Sequence, residues 1–298
     1  MQAKYLDAEE GGLMRCLLFV PADSERKLAK AADVTVDALI LDLEDAVAAD
    51  ARPTARAMAA EFVSDRDDAW VRINPLSTPD AEKDLAAVIA SGPAGIILPK
   101  PQSADDAAAL SDRLDRLEAE HSIPPGQTKI IALCTERVKA LFSLGGYADA
   151  GPRLAGLSWG AEDLSADVGA RANRDEQGNW LPPYELARSL CLFAAHSAEV
   201  AAIDTVFTDF RDETGLVRYA SNAARDGFTG MLAIHPGQVD IIQSAFMPDD
   251  DEIARAKRIV ELFEAHPDAG ALSLDGVMLD RPHLIQAQRI VALADKEG

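Results

Sequence analysis

Short apolar runs alternate with amphipathic segments along most of the chain. Eight of these runs are apolar at consecutive positions, which is typical of parallel strands buried on both faces. We predict strands at Cys16–Ala22, Ala38–Asp42, Ala69–Asn74, Gly95–Lys100, Lys129–Cys134, Leu154–Trp159, Ala201–Phe207 and Gly230–Ile234. Helical spacing and capping residues predict helices over Ser24–Ala32, Pro53–Val63, Pro79–Ala90, Ser103–Glu120, Glu136–Leu144, Tyr184–Ser197, Gly215–Arg225 and Gly237–Phe246.

Eight strands, each followed by a helix, predict a TIM (β/α)₈ barrel over residues 13–246. A doubly wound open sheet is the less favoured alternative, because no GxGxxG turn follows the first strand.

The remaining residues, 247–298, have a different pattern. A charged helix is predicted at Asp250–Ala265, a hairpin at Ala271–Asp280 with its turn at Asp275-Gly276, and a last helix at Pro282–Ala294. We predict that this helix-hairpin-helix extension covers the mouth of its own barrel or packs on a neighbouring subunit.

Composition narrows the class of protein. The chain has 298 residues, of which 48% are hydrophobic, and a formal net charge of −21. This is a soluble globular profile, and its acidity argues against nucleic acid as a partner. No apolar run is long enough to predict a membrane span, and Met1–Gly12 does not resemble a signal peptide. Cys16, Cys134 and Cys191 form no CxxC pair, which predicts free thiols and a cytoplasmic protein.

Polar residues gather where the predicted strands end. In a barrel of this kind the carboxyl ends of the strands carry the chemistry. Carboxylates converging there repel each other unless a cation lies between them. With oxygen ligands and no Cys/His set, the ion should be Mg²⁺ first and Mn²⁺ second. The residues at these ends are Asp42, Glu44, Asp45, Arg72, Asn74, Lys100, Glu136, Glu162, Asp163 and His235.

Several of these residues have two readings. Arg72 suits bidentate binding of a substrate carboxylate, or else forms a structural salt bridge to Asp42 or Glu44. Glu162 and Asp163 face a site, or else cap the helix that follows them.

A covalent role for Lys100, as a Schiff-base lysine, is conceivable but disfavoured beside a metal site. For His235 a hydrogen-bonded structural role is favoured over that of a base. Residue type and spacing alone therefore predict a Mg²⁺-dependent lyase or aldolase that acts on small carboxylates.

At these positions the sequence resembles the citrate lyase β-chain-like proteins of the HpcH/HpaI aldolase/citrate lyase superfamily. The similarity runs in order from about residue 15 to 246 and continues into the tail. The stretches that carry it are Arg15–Pro21 (RCLLFVP), Leu41–Val47 (LDLEDAV), Val71–Asn74 (VRIN), Leu98–Lys100 (LPK), Thr135-Glu136, Gly160–Leu164 (GAEDL), Ile234–Gln238 (IHPGQ) and Asp280–Pro282 (DRP).

The resemblance implies a TIM barrel and a Mg²⁺ ion bound by Glu136 and Asp163. It implies that Arg72 grips the carboxylate of an oxaloacetate- or glyoxylate-like product, with Glu44 supporting Arg72 and the waters on the metal. It also implies that Asp280 acts as an acid/base at a neighbouring subunit's site, in a trimer or hexamer.

The activity implied is Mg²⁺-dependent cleavage, or formation, of a malyl-, citramalyl- or citryl-CoA type thioester. A thioesterase, a free 2-oxo acid aldolase and a non-catalytic scaffold subunit are the alternatives. Ala161, Glu162 and Asp163 are expected to contact the substrate, and Arg15, Arg26 and Lys27 are candidates for the phosphates of coenzyme A.

Two positions depart from the family pattern. The turn after the first strand carries Ala22 where glycine is usual, which bears on the approach of coenzyme A. Arg137 and Val138 follow Glu136, where a small polar residue and alanine are usual, so that Arg137 is a candidate for a competing salt bridge.

Overall fold

The fold is a closed barrel of eight parallel strands in a computed structural model that describes residues 13–296. The interpretation of Met1–Gly12 lies outside the described residues. Each strand pairs with the next, and the eighth pairs with the first, with Leu17 opposite Leu232. This closure excludes the doubly wound sheet. The barrel strands are β1 (Cys16–Pro21), β2 (Ala38–Asp42), β3 (Ala69–Arg72), β4 (Gly95–Leu98), β5 (Lys129–Leu133), β6 (Leu154–Ser158), β7 (Ala201–Asp204) and β8 (Gly230–Ala233).

Helices follow the strands as predicted, except after β5. The α-helices of the barrel region are α1 (Glu25–Ala32), α2 (Arg52–Ser64), α3 (Pro79–Val88), α4 (Ala104–His121), α5 (Ala161–Val168), α6 (Pro182–Ser197), α7 (Glu213–Asp226) and α8 (Val239–Ala245). The short helix α5, which begins at Ala161, was not among the helices predicted from spacing, although the capping role considered for Glu162 and Asp163 implies a helix near this point. Ser24 does occupy the N-cap of α1, but its side chain makes no capping hydrogen bond.

The barrel is held by apolar side chains that the strands bury. Every residue of β2, β4, β7 and β8 is buried, which confirms that these runs are non-alternating because both faces are covered. One buried cluster combines residues from all strands except β6: Leu17, Ala38, Ile40, Trp70, Ile97, Ile131, Leu133, Ala201, Ile203 and Leu232.

The predicted helix at Glu136–Leu144 is wrong. The chain there forms two 3₁₀ segments, Val138–Phe142 and Leu144–Asp149. The Val138 N–H donates to Asp167 Oδ2 at 2.7 Å, and the side chain of Phe142 is 89% exposed. A helix here would need an apolar stripe to bury, and the Gly145-Gly146 pair directly after Leu144 disfavours its continuation.

The described residues form two compact units, residues 13–243 and residues 244–296, each with most of its contacts inside itself. The second contains α9 (Asp250–Glu264), an antiparallel hairpin of β9 (Ala271–Leu274) and β10 (Val277–Asp280), and α10 (Arg281–Asp295). Its core combines Ala256, Ile259, Phe263, Leu279, Leu284 and Ala287. The predicted helix-hairpin-helix extension is confirmed, and its packing on a neighbouring subunit stays a prediction.

No helix within residues 13–296 is both long and apolar enough to cross a membrane. The three cysteines are buried and free, as predicted.

Candidate active site

A cavity of about 320 Å³ lies at the carboxyl ends of the barrel strands. Phe19, Leu133 and Trp159 give it apolar walls. Its polar lining comes from strand ends far apart in the sequence: Asp42, Arg72, Glu136, Glu162, Asp163 and Thr205. The strand ends therefore do converge on one mouth, as the barrel prediction requires.

Arg72, the last residue of β3, is held on three sides. Its Nε and Nη2 donate to Asp42 at 2.7 and 2.6 Å, and its Nη1 lies 3.2 Å from Glu44 Oε2. Its guanidinium carbon lies 4.7 Å from the centroid of the Phe19 ring. The salt bridge considered as an alternative role is thus present, and the same guanidinium lines the cavity. Substrate binding by Arg72 stays a prediction, now with a side chain that is fixed in advance.

The carboxylates around Arg72 have different environments. Asp42 accepts four hydrogen bonds, two from Arg72 and one each from the Glu44 and Ala46 N–H groups. Glu44 is just as buried, but its Oε2 accepts no hydrogen bond and is only ion-paired with Arg72. Burial raises the pKa of Glu44 above its ordinary value, although Arg72 and Lys100 oppose this shift.

Glu136, three residues beyond β5, is 2% exposed and directed into the cavity. Its Oε2 accepts the Lys100 N–H at 2.6 Å. Burial, and then the nearby carboxylates of Asp163 and Glu44, raise the pKa of Glu136 well above its ordinary value. A carboxylate in this position is destabilised when charged and is suited to accept a cation.

Gly160 makes room for Glu136. A Cβ atom built at Gly160 would lie 2.6 Å from Glu136 Cγ and 3.0 Å from Glu136 Oε1. The φ angle of Gly160 is −120°, so any residue fits its backbone and only space demands glycine. The glycine in GAEDL therefore positions the carboxylate that follows β5.

Helix α5 places Ala161, Glu162 and Asp163 in its first turn, with Gly160 at the N-cap. All three line the cavity. Acidic side chains at this end of a helix are stabilised by the helix dipole, so the helix-terminus role and the site role hold together.

Lys100 connects the acidic groups. Its Nζ lies 2.5 Å from Glu44 Oε1, 2.9 Å from Asp45 Oδ2 and 3.2 Å from Asp163 Oδ1. Burial alone would lower the pKa of Lys100, but hydrogen bonds to Glu44 and Asp45 outweigh it and raise the pKa. A lysine held as an ammonium is not a nucleophile, which disfavours the Schiff-base role.

The donor set fits a hard divalent cation. Within the described part of the chain, no group of three or more His, Cys, Asp and Glu side chains is arranged to hold a metal ion. Glu136 and Asp163 both supply oxygen donors to the cavity, and Mg²⁺ commonly takes one or two carboxylates and leaves the other positions to water and substrate. Burial and the neighbouring carboxylates of Asp163 and Glu44 raise the pKa of Glu136, so a bound cation would stabilise its charged form. The residues present therefore fit Mg²⁺ held by Glu136 and Asp163.

A second buried network at the strand ends was missed from the sequence. Asp204, the last residue of β7, accepts hydrogen bonds from Trp159 Nε1 at 2.6 Å, from Arg188 at 2.8 and 3.0 Å, and from the Tyr219 hydroxyl at 3.2 Å. It fixes Trp159, which lines the cavity. The sequence did contain a signal for this network, because Asp204 ends an apolar run in the same way as Asp42.

Histidine and arginine candidates have structural partners. His235 Nδ1 accepts the Gly237 N–H at 3.1 Å, and its ring stacks on Phe210, so the favoured structural role is the observed one. Arg137 pairs with Asp167 at 3.1 Å instead of with Glu136. The competing salt bridge considered for Arg137 therefore forms away from the acidic cluster.

Of the coenzyme A candidates, Arg15 is less favoured by its position than Arg26 and Lys27. Arg15 precedes β1, at the end of the barrel opposite the cavity, and is paired with Asp37 at 3.0 Å. Arg26 and Lys27 are exposed near the start of α1, at the cavity end of β1, and stay candidates.

Asp280 belongs to the second unit. It is the N-cap of α10, and its Oδ1 lies 2.5 Å from His283 Nδ1. Its side chain is 40% exposed. Its role as an acid/base stays a prediction.

Fold and site together define a class: a (β/α)₈ barrel with a buried carboxylate cluster and a fixed arginine at its carboxyl-end mouth. The family model for the HpcH/HpaI aldolase/citrate lyase family matches residues 15–236. The chain belongs to this family.

Comparison with individual proteins and with a solved structure gives the same family. The chain is 34% identical to mitochondrial citramalyl-CoA lyase of Rattus norvegicus, over 94% of this chain and 86% of that protein. It is 33% identical to citrate lyase subunit beta of Escherichia coli K12, over 95% and 94%. A crystal structure of CitE from Mycobacterium tuberculosis, in complex with magnesium, acetoacetate and coenzyme A, superposes with a TM-score of 0.80 at 32% identity, covering 96% of this chain and 99% of that one.

Proposed function

We propose that the chain is a Mg²⁺-dependent carbon–carbon lyase. Its substrate is a 3-hydroxyacyl-CoA thioester of the malyl, citramalyl or citryl type, which it converts to acetyl-CoA or another acyl-CoA and a 2-oxo acid. The observation that carries the proposal is the convergence of Glu136, Asp163 and Arg72 on one cavity. The named activities of its relatives, and the magnesium and coenzyme A of the similar CitE structure, support it.

The reaction breaks one carbon–carbon bond and moves one proton. The 3-hydroxyl group loses its proton to a base, the C2–C3 bond breaks, and its electron pair passes to the thioester carbonyl as an enolate. Protonation of C2 then gives the acyl-CoA product, and the hydroxyl-bearing carbon becomes the carbonyl carbon of the 2-oxo acid. The forward and reverse directions use the same groups.

Each group has a part in this scheme. Glu136 and Asp163 would hold Mg²⁺, which supplies Lewis-acid stabilisation of developing oxyanion charge when bound. Arg72, fixed by Asp42 and Glu44, would bind the carboxylate of the 2-oxo acid without having to be ordered first. The apolar walls formed by Phe19, Leu133 and Trp159 exclude water and strengthen these charge interactions.

The base is proposed to come from a second copy of the chain. Asp280 is the candidate in each subunit, which requires a homo-oligomer, a trimer or a hexamer. The same hairpin exposes two apolar residues, Val277 at 49% and Met278 at 65%. They give the second unit an apolar surface that a neighbouring subunit could cover. Mixing inactive Arg72→Ala and Asp280→Ala proteins tests this: restored activity supports a shared site, and no recovery in exchanged oligomers contradicts it.

Free buried thiols support a reducing compartment, and we propose that this compartment is the cytoplasm. Arg26 and Lys27 are the proposed contacts for the phosphates of coenzyme A. Double replacement by glutamine should raise KM for the acyl-CoA with little change in kcat, since phosphate binding precedes and outlasts the chemical step.

Product identification tests the main proposal. Purified protein with Mg²⁺ is incubated with malyl-, citramalyl- and citryl-CoA. A lyase releases a 2-oxo acid together with an acyl-CoA, whereas a thioesterase releases free coenzyme A thiol and the intact hydroxy acid. A free 2-oxo acid aldolase would act without any thioester, and a scaffold subunit would act on none of these compounds.

Asp163→Asn and Asp167→Asn form a matched pair for this assay. Both remove one charge from α5, but only Asp163 lines the cavity. Loss of activity in Asp163→Asn alone supports the assigned metal site. Equal activity of the two variants contradicts it.

A further inference from the structure

Lys100 has a backbone conformation that needs an explanation. It stands between Pro99 and Pro101, and its φ angle is +51°, in the left-handed region. A residue before proline is already sterically restricted, and a left-handed conformation is unfavourable for a residue with a Cβ atom. Such strain persists only where the surrounding contacts hold it in place.

The contacts made possible by this conformation lie on three other strand ends. The Lys100 N–H reaches Glu136, 36 residues away, at 2.6 Å. The ammonium reaches Glu44 and Asp45 beyond β2, and Asp163 beyond β6. Lys100 therefore contacts Glu136 and Asp163, the two carboxylates proposed to bind the metal. It also contacts Glu44, which pairs with Arg72.

The charge balance at the mouth makes the ammonium necessary. Five carboxylates belong to this network, against the two cations Arg72 and Lys100. The guanidinium of Arg72 contacts Asp42 and Glu44 but makes no ion pair with Asp163. In the absence of a metal ion, Lys100 is the cation that stands beside Asp163. The five carboxylates are those of Asp42, Glu44, Asp45, Glu136 and Asp163.

We infer that Lys100 is a built-in counter-cation of the metal site. Its ammonium holds Asp163 beside Glu44 before a divalent cation arrives, competes with that cation for Asp163, and stays on Glu44 and Asp45 afterwards. Its strained backbone directs Glu136 into the cavity throughout. Lys100 is thus a positioning residue that sets metal affinity by opposing it. This inference rests on the proposed metal site.

Two variants separate the side chain from the backbone. Lys100→Met keeps the length of the side chain and the strained φ angle but removes the charge. Lys100→Gly removes the charge and the strain together, because glycine adopts positive φ without penalty. Lys83→Met is the matched control, since Lys83 is a surface lysine of α3 that pairs with Asp80, away from the cavity.

The first measurement is Mn²⁺ affinity by calorimetric titration. Lys100→Met should bind Mn²⁺ more tightly than wild type, by about fivefold or more, because a competing positive charge is gone. Its metal-free melting temperature should fall, so that Mn²⁺ raises the melting temperature of the variant more than that of wild type. Lys83→Met should leave affinity unchanged.

The second measurement is the order of metal-free melting temperatures. At an ordinary position, glycine is less stable than methionine. If the backbone of Lys100 is strained as described, Lys100→Gly should melt at or above Lys100→Met. If neither variant folds without metal, refolding with Mn²⁺ decides: rescue supports the inference, and failure in both conditions overturns it.

The contrary outcomes are distinct. If wild type binds Mn²⁺ and Lys100→Met binds it equally or more weakly, the counter-cation role is overturned and the metal site stands. If wild type binds neither Mn²⁺ nor Mg²⁺, the proposed metal site and the inference fail together. If Lys100→Gly melts below Lys100→Met, the backbone part of the inference is overturned.

Discussion

Two glutamates of this barrel are equally buried and have opposite properties. Glu118, in α4, is 1% exposed, and Glu136, beyond β5, is 2% exposed. Burial pushes the pKa of Glu118 upward, but hydrogen bonds from Arg153 and from the Thr128 and Gly126 N–H groups outweigh it and lower the pKa to about 2. The pKa of Glu136 is instead raised well above its ordinary value.

The partners explain the difference. Glu118 Oε1 accepts from Arg153 Nη1 and from Thr128 N, and its Oε2 accepts from Gly126 N, each at 2.8 Å. Glu136 accepts one main-chain N–H and faces two other carboxylates. A buried acid with hydrogen-bond donors on both oxygens has a structural role, whereas a buried acid that accepts one main-chain N–H and lies near other carboxylates is a candidate cation ligand.

Replacing Glu136 should have the largest effect. Glu136→Gln removes a proposed metal ligand, so lyase activity should fall about a thousandfold or more. The metal-free melting temperature should stay the same or rise, because a destabilised charge is gone. Steady-state rates measure the loss of activity, and thermal scans without metal measure the melting temperature. A large loss of metal-free stability would mean that Glu136 has a structural role like that of Glu118.

The same change at Glu118 should have the opposite pattern. Glu118→Gln removes the buried one of the two carboxylates that pair with Arg153, while Asp115 remains, so it should destabilise the fold by roughly 1 to 3 kcal/mol. Metal affinity should stay as in wild type. Urea unfolding and Mn²⁺ titration measure the two quantities, and a stable variant with weakened metal binding would invert the comparison.

Gly160→Ala tests the position of the Glu136 carboxylate without removing any charge. The new Cβ atom displaces the Glu136 side chain, so metal affinity should fall by about tenfold to a hundredfold. Gly145→Ala is the control, since nothing lies within 4 Å of its added Cβ. Calorimetric titration with Mn²⁺ measures the metal affinity of both variants. Equal affinities would mean that Glu136 adopts another position without weakening metal binding.

The smallest effects are those of pH, and they have opposite signs. The pKa of Glu118 is lowered from 4.5 to about 2, so its stabilising contribution is complete above pH 4.5 and is lost as the pH falls from 4.5 towards 2. The stability deficit of Glu118→Gln should therefore shrink over that range in urea titrations.

For Glu136 the folded metal-free protein binds the proton more tightly than the unfolded chain does. Its contribution to metal-free stability is present below pH 4.5 and is lost as the pH rises through its raised pKa. Because the metal needs the carboxylate, Mn²⁺ affinity should fall by up to about tenfold per pH unit on acidification below that pKa. A pH-independent affinity would contradict the raised pKa.

Much of the fold was readable from local pattern. Non-alternating apolar runs predicted all eight strands because both of their faces are buried, and the Asp275-Gly276 turn predicted the hairpin. The helix after β5 failed because its interactions are not local: Val138 donates to Asp167 on α5. The network of Asp204 was missed because its partners come from Trp159, directly after β6, and from α6 and α7.

By itself, the sequence determined the order of the βα units and the carboxylates at their ends, because burial and turn chemistry act through neighbouring residues. It also carried the family motifs around Arg72, Glu136 and Asp163. Only the tertiary structure decided which carboxylate has its full set of donors and which does not. Lys100 shows why: its partners at Glu136 and Glu44 lie 36 and 56 residues away. Desolvation and hydrogen-bond satisfaction depend on which groups the closed barrel brings together, not on their order along the chain.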